Sequence, residues 1–431
     1  MGVGDEQKIE DVVIVGAGVA GLATALALKR VGVRAIVLER SHELRTTGAH
    51  LSLFPNAWTA LRALGIDHKL TSIYQPFKKG YVTDLEKGSK QALSFTRSIG
   101  ERINNATGAR SVHRKTLLET LANELPTDAI RFSIKIKSIE THTIEGSALV
   151  PVLHLDDGST IIAKVLIGCD GINSIVATWL GLSKPIHSGR YAVRGLSVVP
   201  QGHGLNNEAH QFISNQRRAG AVHLTDTEVA WFITYPSTAS EDEEMKSSGD
   251  PKWIQQKVME YISYFPPMLS EFVQQSDLKT LSLAPLKFRK PWDLVFNNIC
   301  KGNVTVAGDA FHPMTPDLAQ GGCSALEDAV VLGRHIGNSF LKHNKIVATE
   351  VSEALKLYVK ERKWRAIGLI VGAYFSGRVQ QGGSGWLNFV RNVLFYRFIF
   401  RRLIEVAEYD CGKLPSAASF KQLDDNHSKV E

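Results

Sequence analysis

The stretch from Asp11 to Arg40 limits what this chain can fold into more than any other. Val12–Val15 is a short β-branched run that leads directly into Gly16-Ala17-Gly18-Val19-Ala20-Gly21. An alanine-rich, helical stretch reaches Arg30, and after Gly32 a second apolar run, Ala35–Leu38, closes on Glu39. Strand, tight turn, helix, second strand and terminal acid together form a dinucleotide clamp. Gly16 makes the turn, Gly18 lets the backbone approach a pyrophosphate, and Gly21 permits close helix–strand packing. The helix start at Val19 and Ala20 offers N–H groups and positive dipole to phosphate. Glu39 stands where a carboxylate accepts ribose hydroxyls.

At 431 residues the chain can bury a large core in two or three structural units. The net charge of +7 favours anionic ligands in a general way. Its positive residues are scattered with no long basic run, which argues against nucleic acid as a partner. Cys169, Cys300, Cys323 and Cys411 are far apart and lack metal-ligand spacing, so no metal is expected and a reducing compartment is. Met1–Asp11 is short, polar and acidic, unlike a signal peptide, and the cytoplasm is the expected location. No apolar run reaches the roughly 18 residues that span a bilayer. Trp386–Ala407 reads as a helix rich in aromatics and arginines (Arg391, Arg397, Arg401, Arg402), expected to dock on its own protein. Peripheral membrane contact is the lesser alternative.

Further along, Leu51–Phe54 is strand-like, Pro55–Leu64 an amphipathic helix stopped by Gly65, and Arg114–Leu125 a leucine-rich helix stopped by Pro126. Residues 130–167 alternate as strands around the Asp157-Gly158 turn. Tyr191–Val199, His210–Ser214, Gly220–Thr225 and Val229–Tyr235 read as successive antiparallel strands, followed by an acidic insert at Ser237–Asp250 and a helix over Trp253–Phe265. Val304–Asp309 is a further strand and turn. Ala325–His335 and Ala354–Phe375 read as helices, with a glycine-rich break at Gly377–Gly385. The fold class is α/β: a Rossmann-like nucleotide-binding domain with an inserted antiparallel-sheet domain and C-terminal helices. The expected boundaries are 1–75, 106–184 and 291–350 for the nucleotide-binding parts. Residues 76–105 and 185–290 form the sheet domain, 351–410 the C-terminal helices and 411–431 a flexible tail.

Three motifs recur in order: Gly16–Gly21, Gly168-Cys169-Asp170-Gly171, and Gly308-Asp309-Ala310-Phe311-His312-Pro313. With them the chain resembles the single-component FAD-dependent aromatic hydroxylases, the family of salicylate, para-hydroxybenzoate and urate hydroxylases and zeaxanthin epoxidase. The resemblance covers roughly residues 10–375. The run Pro313–Cys323, then Glu327-Asp328-Ala329 and Glu408–Gly412, is most similar to the plant monooxygenase-1-like branch. The resemblance implies that Gly16, Gly18, Val19, Ala20 and Gly21 hold the FAD pyrophosphate, with Glu39 on the ribose and Arg40 near the adenine. Arg45 and Arg114 match arginines that reach the pyrophosphate and ribityl region, Ile136 a position whose backbone touches adenine, and Asp309 the carboxylate on a ribityl hydroxyl. Gly321 and Gly322 open a helix toward the flavin pyrimidine edge. His50 and Leu51 fall beside the flavin ring, His50 where the family has a small or apolar residue. His312 reads as a packed turn residue and Cys323 as a small buried thiol.

The sequence departs from the family twice. Asp170-Gly171-Ile172-Asn173-Ser174-Ile175-Val176 is followed by Ala177 where the family motif carries arginine, and Pro316 is followed by Asp317 where salicylate hydroxylases carry histidine. The implied activity is NADPH- or NADH-driven oxygenation of a small aromatic or conjugated substrate by O₂ through a C4a-hydroperoxyflavin. The substrate pocket is expected between Pro316 on the flavin side and Arg194, Tyr235 and Trp231 on the sheet, with Arg194 holding a carboxylate or phenolate. A monomer or homodimer is expected. Two alternatives stay open: a flavoprotein oxidoreductase of the same fold without oxygen insertion, and a non-catalytic binder like the GDP-dissociation inhibitors.

Overall fold

The computed structural model describes residues 9–45, 50–93, 108–144, 148–214, 216–237, 250–381 and 406–416. The expected Trp386–Ala407 helix, apart from its last two residues, lies outside these, as does nearly all of the acidic insert. A parallel sheet runs in the order Ile130–Arg131, Ala35–Leu38, Ile9–Val15, Thr160–Gly168, Val304–Val306, with Cys300–Lys301 antiparallel at its edge. Ile136–Ile144 and Ala148–Leu155 extend it from the Thr160–Gly168 strand as an antiparallel ribbon. Its central strands are buried, which is why Val12–Val15, Val165–Ile167 and Val304–Val306 read as apolar runs instead of alternating. The register sets Val15 beside both Leu38 and Gly168, and Gly168 beside Val306. The three motif turns therefore leave the sheet side by side at its carboxyl edge, the place where open α/β sheets bind ligands.

The helix Val19–Arg30 is buried from Ala20 to Leu28, because it lies between the sheet and a longer helix, Gly321–His343. A second sheet takes the order Ser282–Phe288, Ile186–Val198, Glu228–Pro236, Arg217–Thr225, Glu208–Ser214, Lys79–Asp84, Ser89–Leu93. One face of it carries Val193, Ala219, Ala221, Trp231, Ile233 and Tyr235. That face packs on Ile254, Val258, Tyr261, Leu269 and Phe272 from the helices Pro251–Tyr261 and Pro267–Gln274. The other face meets the nucleotide-binding half.

The helix Ala348–Gln381 corrects the expected break after Phe375, since it runs without interruption through Gly377. That glycine is there for room: a Cβ on it would stand 2.4 Å from both Arg190 Nη2 and Asp317 Oδ2. The same helix anchors a buried polar network. Arg362 donates to Asp328 Oδ1 (2.7 Å) and forms an ion pair with Glu327 Oε2 (2.6 Å), Arg365 donates to both oxygens of Glu327, and Asn56 donates to Glu327 and Gln320. Asp328 Oδ2 takes the Gly308 N–H (2.9 Å) and lies 2.6 Å from His312 Nε2, so the third motif turn is fastened from beneath. Burial pushes the Asp328 carboxyl up, but His312 and Arg362 outweigh it and hold it down at about 2.

A carboxyl held below its unfolded value contributes stability that is complete above pH 3.8 and drains away as pH falls toward 2. Asp328→Asn is expected to cost about 3–5 kcal/mol at neutral pH, the usual loss on breaking a buried charge pair. Urea midpoints taken from pH 2 to 7 check both parts, and the variant's acid limb should be shallower.

Candidate active site

The first glycine cluster divides by function once its surroundings are known. Gly16 has φ +101°, and a Cβ there would lie 2.6 Å from the Cys169 carbonyl oxygen. A Cβ on Gly21 would lie 1.9 Å from the Gly16 carbonyl oxygen. Protein packing alone demands both. Gly18 differs, because no atom lies within 4 Å of where its Cβ would be and its φ of −82° suits any residue. Its missing side chain leaves space in front of the Val19–Arg30 helix, whose N-terminus has no side-chain cap. The Gly321–His343 helix also starts without a side-chain cap, at Gln320. Two helix N-termini thus keep N–H groups available to one cleft.

Glu39 is oriented by the fingerprint itself: the Ala17 N–H donates to its Oε2 (2.8 Å) and the Ser41 N–H to its Oε1 (2.9 Å). A carboxylate with two donors keeps acceptor capacity for hydroxyls. Arg40 and Arg45 lie with Ser41, Leu44 and Ser133 around an open cleft of about 520 Å³. Ser133 carries no local sequence signal for this place. Its φ of +59° and the bonds from Ser133 N–H to Ser41 and from Ile134 N–H to Glu39 carry this strand past the cleft. Ile136 begins the next strand and pairs with Leu155.

Arg114 donates to the Arg45 carbonyl oxygen and interacts electrostatically with Arg45, Asp309 and Glu39. Burial lowers its pKa, and the two acids oppose that. Asp309 opens to the cleft but is otherwise enclosed. Enclosure raises its pKa, against the pull of His312, Arg114 and Arg194. The Gly321 Cβ position is 3.9 Å from Asp309 Oδ1, and that of Gly322 is 3.5 Å from Leu51. Glu39, Arg45, Arg114, Asp309, Gly321, Gly322 and Leu51 are therefore brought to one cleft. Asp170 accepts the Ile175 N–H (2.7 Å) at the head of the Ile175–Trp179 helix, a local structural task. His312 is fully buried and bonded to Asp328, as a turn residue should be. Cys323 is sealed, and burial pushes its thiol up to about 12, which leaves it inert.

On the sheet, the register aligns Arg194 with Phe232 and Phe232 with Gly220. Arg190 and Arg218 share that face, and both bond Asp317: Arg190 through two nitrogens (3.0 and 2.6 Å), Arg218 through one (2.9 Å). Asp317 belongs to the turn Pro316–Leu318, so this clamp seats Pro316 against the Arg194 face. Tyr235 and Trp231 do not join this site. Both project to the opposite face, where Tyr235 stacks on Tyr191 and meets the Tyr261 ring at a tilt, and Trp231 donates to Ser276 Oγ (2.8 Å). The aromatic that stands beside Arg194 is Phe232. Its ring lies over Gly220 and 5.3 Å from the Arg218 guanidinium.

These residues fit FAD: a phosphate-sized space at Gly18, an oriented ribose acid, two uncapped helix starts and an Asp309 that opens to the cleft. A family model described as FAD binding domain matches residues 10–370. The chain belongs to that family. It is 39% identical over 420 residues to Monooxygenase 2 of Arabidopsis thaliana, covering 95% of this chain and 99% of that one. It is 27% identical to an FAD-dependent urate hydroxylase of Mycolicibacterium vanbaalenii, over 84% of this chain and 86% of that one. The crystal structure of Klebsiella pneumoniae HpxO with FAD and uric acid superposes with a TM-score of 0.76 at 22% identity, covering 93% and 97% of the two chains. The chain is thus an FAD-dependent monooxygenase, with NADPH or NADH as the transient electron donor typical of its family. Among the described residues no helix is long and apolar enough to cross a membrane.

Gly18→Ala is expected to leave the apoprotein's melting temperature within about 2 °C and to weaken FAD binding at least about tenfold, because the added methyl occupies only the cradle. Gly21→Ala should prevent folding altogether. Thermal melts and FAD fluorescence titrations of the two variants check the contrast.

Proposed function

We propose that this monooxygenase oxygenates a small, flat, anionic ring compound held between the Pro316–Leu318 turn and the Arg194–Phe232 strip of the sheet. The observation that carries the reading is the state of Arg194. Three arginines lie on that face, and Asp317 takes two of them. Arg194 makes no hydrogen bond or ion pair among the described residues, and Asp309 and Asp317 act on it only through space. Burial pulls its pKa down against those two acids, and the half-buried guanidinium has no side-chain contact partner among the described residues. An anionic ligand supplies that partner. The urate hydroxylases among the relatives act on a flat, acidic ring, the class this geometry suits.

FAD, when bound, supplies the acceptance of electrons from NAD(P)H and the activation of O₂. The protein's own groups do the rest. Arg114 and Asp309 would hold the ribityl side, and the Gly321 helix start would favour negative charge at the pyrimidine edge. Arg194 orients the ligand's anion, Phe232 gives its ring an apolar wall, and the Asp317 clamp keeps the two sides in register and water out. The thiols Cys169, Cys300, Cys323 and Cys411 are unpaired, in keeping with a cytoplasmic enzyme, which we read as a monomer or homodimer.

Arg194→Gln is expected to raise the dissociation constants of anionic aromatics about 10–100-fold, the cost of removing a charged partner in an enclosed site, with FAD affinity unchanged. Equilibrium titration of the holoenzyme with benzoate-type acids, followed by flavin absorbance, checks this. Unchanged affinities would remove the basis of the reading.

A further inference from the structure

His50 is the first residue of the strand His50–Leu53, which pairs antiparallel with Arg110–His113. The next residue, Leu51, lies 3.5 Å from the Gly322 Cβ position and so faces the helix that starts at Gly321. Successive strand side chains project to opposite faces. His50 therefore projects away from that helix start, and Arg194 and His113 are the charged or titratable neighbours that act on it. His113, its partner across the ladder, is engaged elsewhere, with Nε2 3.0 Å from Glu228 Oε2.

Nδ1 of His50 is sealed from solvent and has no hydrogen-bond partner. Burial, the Arg194 guanidinium and His113 push the imidazole down to about 3, so the ring is neutral at any working pH. A neutral imidazole carries one N–H and one lone pair. Arg194 has only donors to offer, yet it does not bond the ring. His50 is half-buried, with its Nδ1 covered and unpaired, and a polar atom left in that state needs an explanation, which a bound ligand supplies.

We propose that His50 is a specificity-determining residue: with Arg194 it forms a two-point site that selects an anionic ring compound carrying an O–H or N–H donor, which the imidazole accepts. The inference rests on Arg194 holding the anion. The sequence supports a special role at this position, since the family resemblance leads one to expect a small or apolar residue there. The Arg194 charge also accounts for neutrality, because protonating an imidazole beside a fixed cation is unfavourable. The pair thus divides the recognition: the cation reads the anion, and the neutral ring reads a donor. A site built to bond a polar hydrogen rejects analogues that lack it, since its own buried group is then left unpaired.

The test uses FAD-loaded protein and equilibrium binding, read from perturbation of the flavin spectrum. The probes are 2-, 3- and 4-hydroxybenzoate, the matching methoxybenzoates and benzoate. The wild type should bind at least one hydroxybenzoate about tenfold or more tighter than both its methoxy counterpart and benzoate. His50→Phe should abolish that preference while benzoate affinity stays within about threefold, and His50→Asn, which keeps an acceptor, should restore part of it. Arg194→Gln should weaken all the acids together and leave the hydroxyl preference in place. A preference that survives His50→Phe overturns the proposal, as does a His50→Phe protein whose ligand-free flavin spectrum or FAD affinity changes while the preference does not. Failure of the anion reading looks different: Arg194→Gln without effect, or no acid bound by the wild type.

Discussion

The geometry of this enzyme hangs on one buried carboxylate. Asp317 is sealed between Arg190 and Arg218, and it joins three parts of the chain that are distant in sequence: the turn after the third nucleotide motif, the substrate-side sheet, and the long C-terminal helix whose Gly377 leaves the pair its space. Burial pushes the Asp317 carboxyl up, yet the two guanidinium groups outweigh it and hold it below its usual range. The interaction is a weak source of stability, because taking these charges out of water costs nearly as much as their attraction returns. Its value lies in direction. A two-nitrogen contact from Arg190 and a third bond from Arg218 allow one placement of the Pro316 turn against the sheet, which no apolar contact would specify so tightly.

The same clamp explains the electrostatics of the cleft. With Arg190 and Arg218 committed to Asp317, the sheet face retains Arg194 as a surplus cation, while across the cleft Asp309 is balanced by Arg114 and His312. On this sheet face, two of the three arginines are matched by Asp317 and the third is the one to which the proposed reading assigns the ligand's anion. A surplus placed this way attracts an anion without destabilising the cofactor side, where Glu39 and Asp309 need to stay acceptors. The Glu327–Asp328–Arg362 network repeats the pattern one layer deeper, where its job is to hold the Gly308–His312 turn.

The residues that the structure brings to the glycine cleft were legible in the sequence because their signals are local. Gly16, Gly18 and Gly21, Glu39 at a strand end, Asp309 in a turn and Gly321-Gly322 at a helix start each carry their meaning within a few residues. The substrate half was not. Alternation correctly put Trp231 and Tyr235 on one face, but period two does not say which face meets the cleft. That depends on the helices at 251–274, which cover the aromatic side. Phe232 was passed over for the same reason. Arg190 and Arg218 were invisible because their partner is 127 and 99 residues away. Asp317 was noticed as a departure from the family pattern, yet its use depends on those arginines. The glycine-rich stretch after Phe375 read as a break because Gly377 disfavours helix by propensity, whereas packing of the ion pair demanded a residue without a Cβ.

This division between local and long-range signals bears on how such an enzyme diverges. A dinucleotide clamp is defined by backbone: helix starts, a tight turn and close approaches that only glycine allows, so its sequence pattern persists wherever the fold does. The substrate face is defined by side chains on a sheet whose backbone is indifferent to them. Arg194, Phe232 and Gly220 share one rung across three strands; the first two can change without altering the ladder, whereas a Cβ on Gly220 would stand 2.6 Å from the Phe232 ring and 2.9 Å from the His210 carbonyl oxygen. What the sheet cannot change freely is Arg190 or Arg218, since removing either leaves Asp317 buried beside too little positive charge. In the proposed reading, selectivity rests on groups outside the clamp: the Arg194 side chain, which has no hydrogen bond or ion pair among the described residues, and His50, whose Nδ1 has no partner.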